Sequence, residues 1–121
     1  MTKILIIDDD PDVRTVMNIL LKKQGFEVET ASRRDEALTK LQKFKPSVVL
    51  LDVLLSGADG RELCREIKLD PKTKDIQVIM FSAHPGAADN ISSYGADDFI
   101  TKPINSDSLL EKLNRFISQP E

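Results

Sequence analysis

Short, nearly unbroken apolar runs recur along the chain at Ile4–Ile7, Val48–Leu51 and Ile76–Phe81, with weaker runs at Glu27–Ala31 and Phe99–Ile100. Continuous runs of this length suit strands covered on both faces. Between them apolar residues fall at helical spacing: Val13, Met17, Leu20 and Leu21; Ala37, Leu38 and Leu41; Leu63 and Ile67; and Leu109, Leu110, Leu113, Phe116 and Ile117. Each set makes one stripe on a helix. Boundary residues agree. Asp10 before Pro11 supplies an N-cap acceptor and a first-turn residue that needs no N–H partner, and Gly25 ends that helix. Ser32 with Asp35, and Asp59 with Glu62, read as capping boxes. A short helix of about two turns is expected between Pro85-Gly86 and Gly95. The order is β-α repeated five times. It predicts a doubly wound α/β fold, a five-stranded parallel sheet in the order 2-1-3-4-5 with helices on both faces and right-handed crossovers.

The chain of 121 residues has room for one domain, so residues 1–121 are expected to fold as a unit with no output domain. No repeat, low-complexity tract or long linker interrupts it. The opening apolar run is too short for a signal peptide or a membrane span, which predicts a cytoplasmic protein. The single cysteine, Cys64, lies among helical apolar neighbours and reads as buried filler. A net charge of −3 argues against direct binding to nucleic acid.

In an open α/β sheet, ligands bind beyond the carboxyl ends of the strands where the strand order reverses, here between the first and third strands. Asp8 and Asp9 end the first strand and Asp52 ends the third. Taken alone, the Asp8-Asp9-Asp10 triplet reads as turn and cap residues. Asp52 alters that reading, because two unit charges about 4 Å apart at an effective dielectric near 20 repel by roughly 4 kcal/mol. Such a cluster needs a cation or protons. Carboxylates with a backbone carbonyl and waters suit Mg²⁺, with Mn²⁺ as a substitute, whereas one His and one Cys cannot build a typical zinc site. Ser82 and Lys102 stand at the ends of the fourth and fifth strands. Singly they are ordinary strand-end and surface residues; together they offer a hydroxyl and a fixed cation to a phosphoryl group.

With these residues in place, the stretches Ile4 to Pro11, Leu50-Leu51-Asp52-Val53, Gly57-Ala58-Asp59-Gly60 and Gly95-Ala96-Asp97-Asp98-Phe99, together with Lys102-Pro103, resemble the bacterial response-regulator receiver family over the whole chain. The resemblance implies a flavodoxin-like fold and a two-component, phosphorelay role. Asp52 would be the phosphoacceptor and would also hold magnesium, together with Asp8, Asp9 and the Leu54 backbone carbonyl, Asp9 binding it directly. Ser82 would bond the phosphoryl oxygen, Lys102 would pair with it, and Phe99 would turn inward on activation. A cis peptide before Pro103 is also implied. The donor would be a sensor histidine kinase or phosphotransfer protein, and the output a downstream target protein. The chain would be a regulator, not an enzyme, turning over its own phosphoryl group slowly.

Ser56, Ala58 and Ile104 depart from the family pattern, and the stretch from Ser82 to Gly95 is about half a helical turn shorter than usual. Leu54 and His84 occupy positions that in the family flank the path of the hydrolytic water, and an apolar Leu54 would not orient that water by hydrogen bonding. Two enzyme-like or carrier readings compete. A haloacid-dehalogenase-type phosphatase shares an acidic first strand end, but Asp12 stands where that family expects Thr or Val. A flavodoxin-type carrier needs a Ser/Thr/Gly-rich phosphate loop in place of three acids. A docking module independent of phosphorylation would leave the acidic set unexplained.

Overall fold

The computed structural model describes residues 2–55, 58–83 and 85–117. Five parallel strands, β1 (Lys3–Ile7), β2 (Glu27–Ala31), β3 (Val48–Asp52), β6 (Gln77–Ser82) and β7 (Asp98–Thr101), form one sheet in the order β2-β1-β3-β6-β7. This is the doubly wound order expected from the sequence. The helices are α1 (Pro11–Lys23), α2 (Arg34–Lys43), α3 (Gly60–Leu69) and α4 (Ser106–Ile117). A two-residue hairpin, β4 (Leu54–Leu55) and β5 (Ala58–Asp59), stands outside the main sheet, directly after Asp52.

Strand alternation sorts the core into two layers. Leu5, Ile7, Val49, Leu51, Val78 and Met80 face the side on which Ala37, Leu41, Leu63, Cys64 and Ile67 of α2 and α3 pack. Ile4, Ile6, Val48, Leu50, Ile79 and Phe81 face Met17 and Leu21 of α1 and Leu109 and Leu113 of α4. Because both faces are covered, β1 after Lys3 and all of β3 carry no polar residue until they reach Asp8 and Asp52. Cys64 is fully buried, in keeping with its reading as filler. Phe116 and Ile117 complete the α4 backbone, and their side chains lie outside the described set.

Several caps form as the sequence implies. Asp10 accepts from the Asp12 N–H at 2.9 Å, and Asp59 from the Arg61 N–H at 2.9 Å. Gly25, with φ of 93°, closes α1: its N–H reaches the Lys22 carbonyl at 3.0 Å while Phe26 N–H reaches Leu21 at 3.2 Å.

Three local expectations are corrected. The fourth helical segment is a 3-10 helix over Pro85–Tyr94 rather than two α-turns. Its sequence is rich in Gly, Ser, Asp and Asn, residue types of weak α-propensity. Ser32 and Asp35 do not form a capping box, because α2 begins one residue later than that pairing needs. Instead the Ser32 N–H and Oγ donate to Glu36 at 2.7 and 3.1 Å, and Asp35 accepts from Arg33 Nε at 2.7 Å. Glu62, expected to pair back to Asp59, instead meets Arg65 at 3.5 Å.

Candidate functional site

The site forms where β1 and β3 leave the sheet side by side. Ile7 pairs with Leu51, so the next residue of each strand, Asp8 and Asp52, emerges at the same height. Asp8 is fully buried and Asp52 nearly so, while Asp9 is exposed. One carboxylate oxygen from each of Asp8, Asp9 and Asp52 lies within 4.8 Å of the others. The three acids selected from the sequence do converge.

Asp8 is held from every side. Its N–H donates to the Ala31 carbonyl at 3.1 Å, Oδ1 accepts from the Asp10 N–H at 2.9 Å, and its own carbonyl accepts from Arg14 Nη1 at 2.7 Å. Lys102 Nζ completes the set, 3.1 Å from Asp8 Oδ2 and 3.3 Å from Asp52 Oδ2. The ammonium also lies 5.1 Å from the centre of the Phe81 ring. Lys102 reaches the acids because β7 ends beside Ser82, where the Lys102 N–H donates to the Ser82 carbonyl at 2.8 Å. The Lys102–Pro103 peptide is cis, as expected.

Electrostatics follow from this packing. Burial first, then the Asp8 charge, push Asp52 up from 3.8 to about 6, against the opposing pull of Lys102 and the Leu54 N–H. Burial works against the Lys102 ammonium, but its hydrogen bond to Asp8 and the charges of both acids outweigh it and hold its pKa above the usual value. Among the described residues, Lys102 is thus the one cation paired with these carboxylates, bonding two of the three. The surplus of negative charge and the all-oxygen donor set fit a small hard divalent cation.

The remaining residues singled out in the sequence are distributed as follows. Leu54 is 55% exposed, and its N–H donates to Asp52 Oδ1 at 3.3 Å. Gly60 N–H donates to the Val53 carbonyl at 2.7 Å, so antiparallel alternation turns the Leu54 N–H and carbonyl to the hairpin edge nearer Asp52. Ser82 is buried at the end of β6, one residue beyond Phe81, which pairs with Asp52. Phe99 is half-buried against the α2–α3 layer, in register with Met80, and is not part of the acidic crevice. Ala58 lies in β5, whereas Ser56 and His84 are outside the described residues.

Two contributors were not singled out from the sequence. Arg14 braces the loop that carries the acids, yet a lone arginine on an amphipathic helix gives no sign of this. Gly60 sits so close to Asp52 that a Cβ there would lie 1.9 Å from the Asp52 carbonyl oxygen. In the sequence it stands only within a stretch that resembles the family, and its place just past a cap residue is the available signal.

Residues 4–114 match the model of the response regulator receiver domain. The chain belongs to that family. Among solved structures it is similar to the chemotaxis protein CheY4 of Vibrio cholerae, at 30% identity and a TM-score of 0.89, covering 96% of this chain and 98% of that one. The response regulator TrrA of Thermotoga maritima, solved in complex with Mg²⁺ and beryllofluoride, is 34% identical with a TM-score of 0.86, covering 96% and 99%. The receiver domain of a signal transduction histidine kinase from Syntrophus aciditrophicus is 32% identical with a TM-score of 0.88, covering 98% and 91%. Among the described residues no helix is long and apolar enough to cross a membrane.

Proposed function

We propose that this receiver domain takes a phosphoryl group onto Asp52 in a divalent-cation-dependent reaction and answers by changing its surface. The observation that carries the reading is the convergence of Asp8, Asp9 and Asp52 with Lys102 bridging two of them. A turn or a set of caps has no use for a buried Asp8 or for an Asp52 raised to about 6. Family membership favours this reading over a dehalogenase-type phosphatase or a flavin carrier.

Asp8, Asp9, Asp52 and the Leu54 carbonyl are the groups to hold Mg²⁺. Bound there, the ion would neutralise charge on the transferring group and lower the repulsion among the acids. A carboxylate oxygen of Asp52 attacks the phosphorus, the P–N bond to a donor histidine breaks, and its electron pair leaves with the imidazole. The product is an acyl phosphate on Asp52. Lys102, already within reach of Asp52, shifts its ammonium toward the new phosphoryl oxygens. Ser82, at the adjoining strand end, donates its hydroxyl to one of them, drawing its loop inward so that Phe99 follows.

The donor must approach from the rim, and beside Lys102 lies an apolar groove of about 240 Å³. It is lined by Val13, Val16 and Met17 of α1 and by Pro103 and Ile104. Val16 and Ile19 expose 64% and 55% of their surface on α1. We assign this surface to a histidine kinase or phosphotransfer protein, whose apolar helix face would rest there while its histidine reaches Asp52. Incubation with acetyl phosphate and Mg²⁺ tests the chemistry: intact mass should show one phosphoryl group per chain, lost under chelation. Equal labelling with and without the metal would count against the reading.

A further inference from the structure

The ring of Tyr94 ends the 3-10 segment and is covered by two arginines of α3, with Arg65 Cζ 4.5 Å and Arg61 Cζ 5.6 Å from its centre. The arginines are four residues apart and so share a helix face. Arg61 is fixed in turn, its Nε 3.1 Å from Asp59 Oδ1 and its Nη2 3.0 Å from Asp59 Oδ2. Asp59 caps α3 and pairs with Leu54, whose N–H bonds the phosphoacceptor carboxylate. Gly60 locks the same helix start against the Asp52 backbone. A continuous set of contacts therefore runs from Asp52 through the hairpin and Arg61 to Tyr94.

The other end of the same segment, Pro85, follows Ser82 by three residues. Segment 85–94 is thus tied to the site twice, by chain continuity with Ser82 and by the arginine clamp on Tyr94. Helix α3 is packed at its first turn directly against the Asp52 backbone through Gly60, so an inward movement of the Ser82 loop would not carry it along. If the segment moves with Ser82, Tyr94 must part from Arg61 and Arg65.

We propose that this clamp is a brake on the switch: Arg61 and Arg65 hold Tyr94, and with it segment 85–94, in the unphosphorylated position. The inference rests on the phosphoacceptor reading above and adds to it a group of side chains that sets how readily the surface responds. Any interaction made only in the starting state is subtracted from the affinity for whatever stabilises the other state. Two partly exposed cation–π contacts correspond to a change of about five-fold.

The test is titration of the full chain with beryllofluoride and Mg²⁺, comparing wild type with Tyr94→Leu, Tyr94→Phe and Arg65→Gln. Tyr94→Leu should bind about five-fold more tightly, Arg65→Gln should shift the same way by less, and Tyr94→Phe, which keeps an aromatic face, should match wild type. Amide resonances of metal-free Tyr94→Leu should lie part of the way along the line from free to bound wild type. Unchanged or weaker binding by a folded Tyr94→Leu overturns the brake. If that variant melts before the titration, Arg65→Gln decides by the same criterion, since its change lies on the helix surface. Failure of wild type to bind would overturn the phosphoacceptor reading and the brake with it, whereas binding without tightening in the variants overturns the brake alone.

Discussion

Gly60 and Asp52 are in backbone contact: a Cβ on Gly60 would stand 1.9 Å from the Asp52 carbonyl oxygen and 2.9 Å from that of Val53. The start of α3 and Asp52 are therefore one mechanical unit. Gly60→Ala should force them apart, at a cost of about 3 kcal/mol if overpacking here resembles that in a core. The expected drop in melting temperature is about 10 °C, with labelling of Asp52 slowed at a temperature where the variant is still folded. A variant that melts and labels like wild type would show that the contact relaxes freely.

Lys102 is the one cation within reach of both Asp8 and Asp52 among the described residues. Lys102→Met should slow phosphoryl transfer about a hundred-fold, the scale seen when one preorganised charge-stabilising group is removed. The same change should raise the Asp52 pKa above about 6, since Lys102 now pulls it down. A carboxyl-carbon titration by NMR reads the second effect independently of the first.

The pH dependence of metal-free stability has a definite sign. Asp52 titrates near 3.8 when unfolded and near 6 when folded, so between those values the native chain binds more protons. Its contribution is therefore stabilising at low pH and is lost as pH rises through about 6. With Mg²⁺ removed, Asp52→Asn should gain on the order of 2 kcal/mol at pH 7.5, shrinking toward pH 4. Urea melts with a chelator across that range measure it. A gain that grows toward acid would reverse the assignment.

The sequence carried the sheet and the site further than it carried the connections. Strands β1, β3 and β6 were legible because both faces of the sheet are covered and the runs stay apolar to their ends. Asp8 and Asp52 followed from where those runs stop. The 3-10 geometry of 85–94 was not legible, because Pro85 and Gly95 mark its ends without distinguishing one helical pitch from another. Nor was the β4–β5 hairpin, which has two residues per strand and no alternation to read. The contacts of Arg14 with Asp8 and of Tyr94 with Arg65 join separate elements, and pairings of that kind leave no local periodicity.

The donor groove yields a separable prediction. Val16→Asp should reduce transfer from a phosphorylated kinase or phosphotransfer protein by about ten-fold or more, because it places a charge at the centre of an apolar contact. Labelling by acetyl phosphate should be unchanged. Equal loss with both donors would mean that the substitution harms the site itself.

With Asp52 as the proposed acceptor, Leu54 offers a test of the phosphoryl lifetime. Its backbone N–H meets Asp52, and its exposed aliphatic side chain offers a water molecule no hydrogen bond. Leu54→Asn should hasten loss of the phosphorylated mass several-fold at constant Mg²⁺. A decay no faster than wild type would contradict the water-exclusion argument.

The site of the phosphoryl group can be located directly. After treatment with acetyl phosphate and Mg²⁺, borohydride reduces an aspartyl phosphate to homoserine, which peptide mass spectrometry assigns to a position. Phosphoryl transfer to Asp52 should give homoserine at residue 52 alone, absent when the metal is chelated and absent in Asp52→Asn. Homoserine at Asp8, Asp9 or Asp59 in its place, or none at residue 52 in a folded wild-type chain, would contradict it.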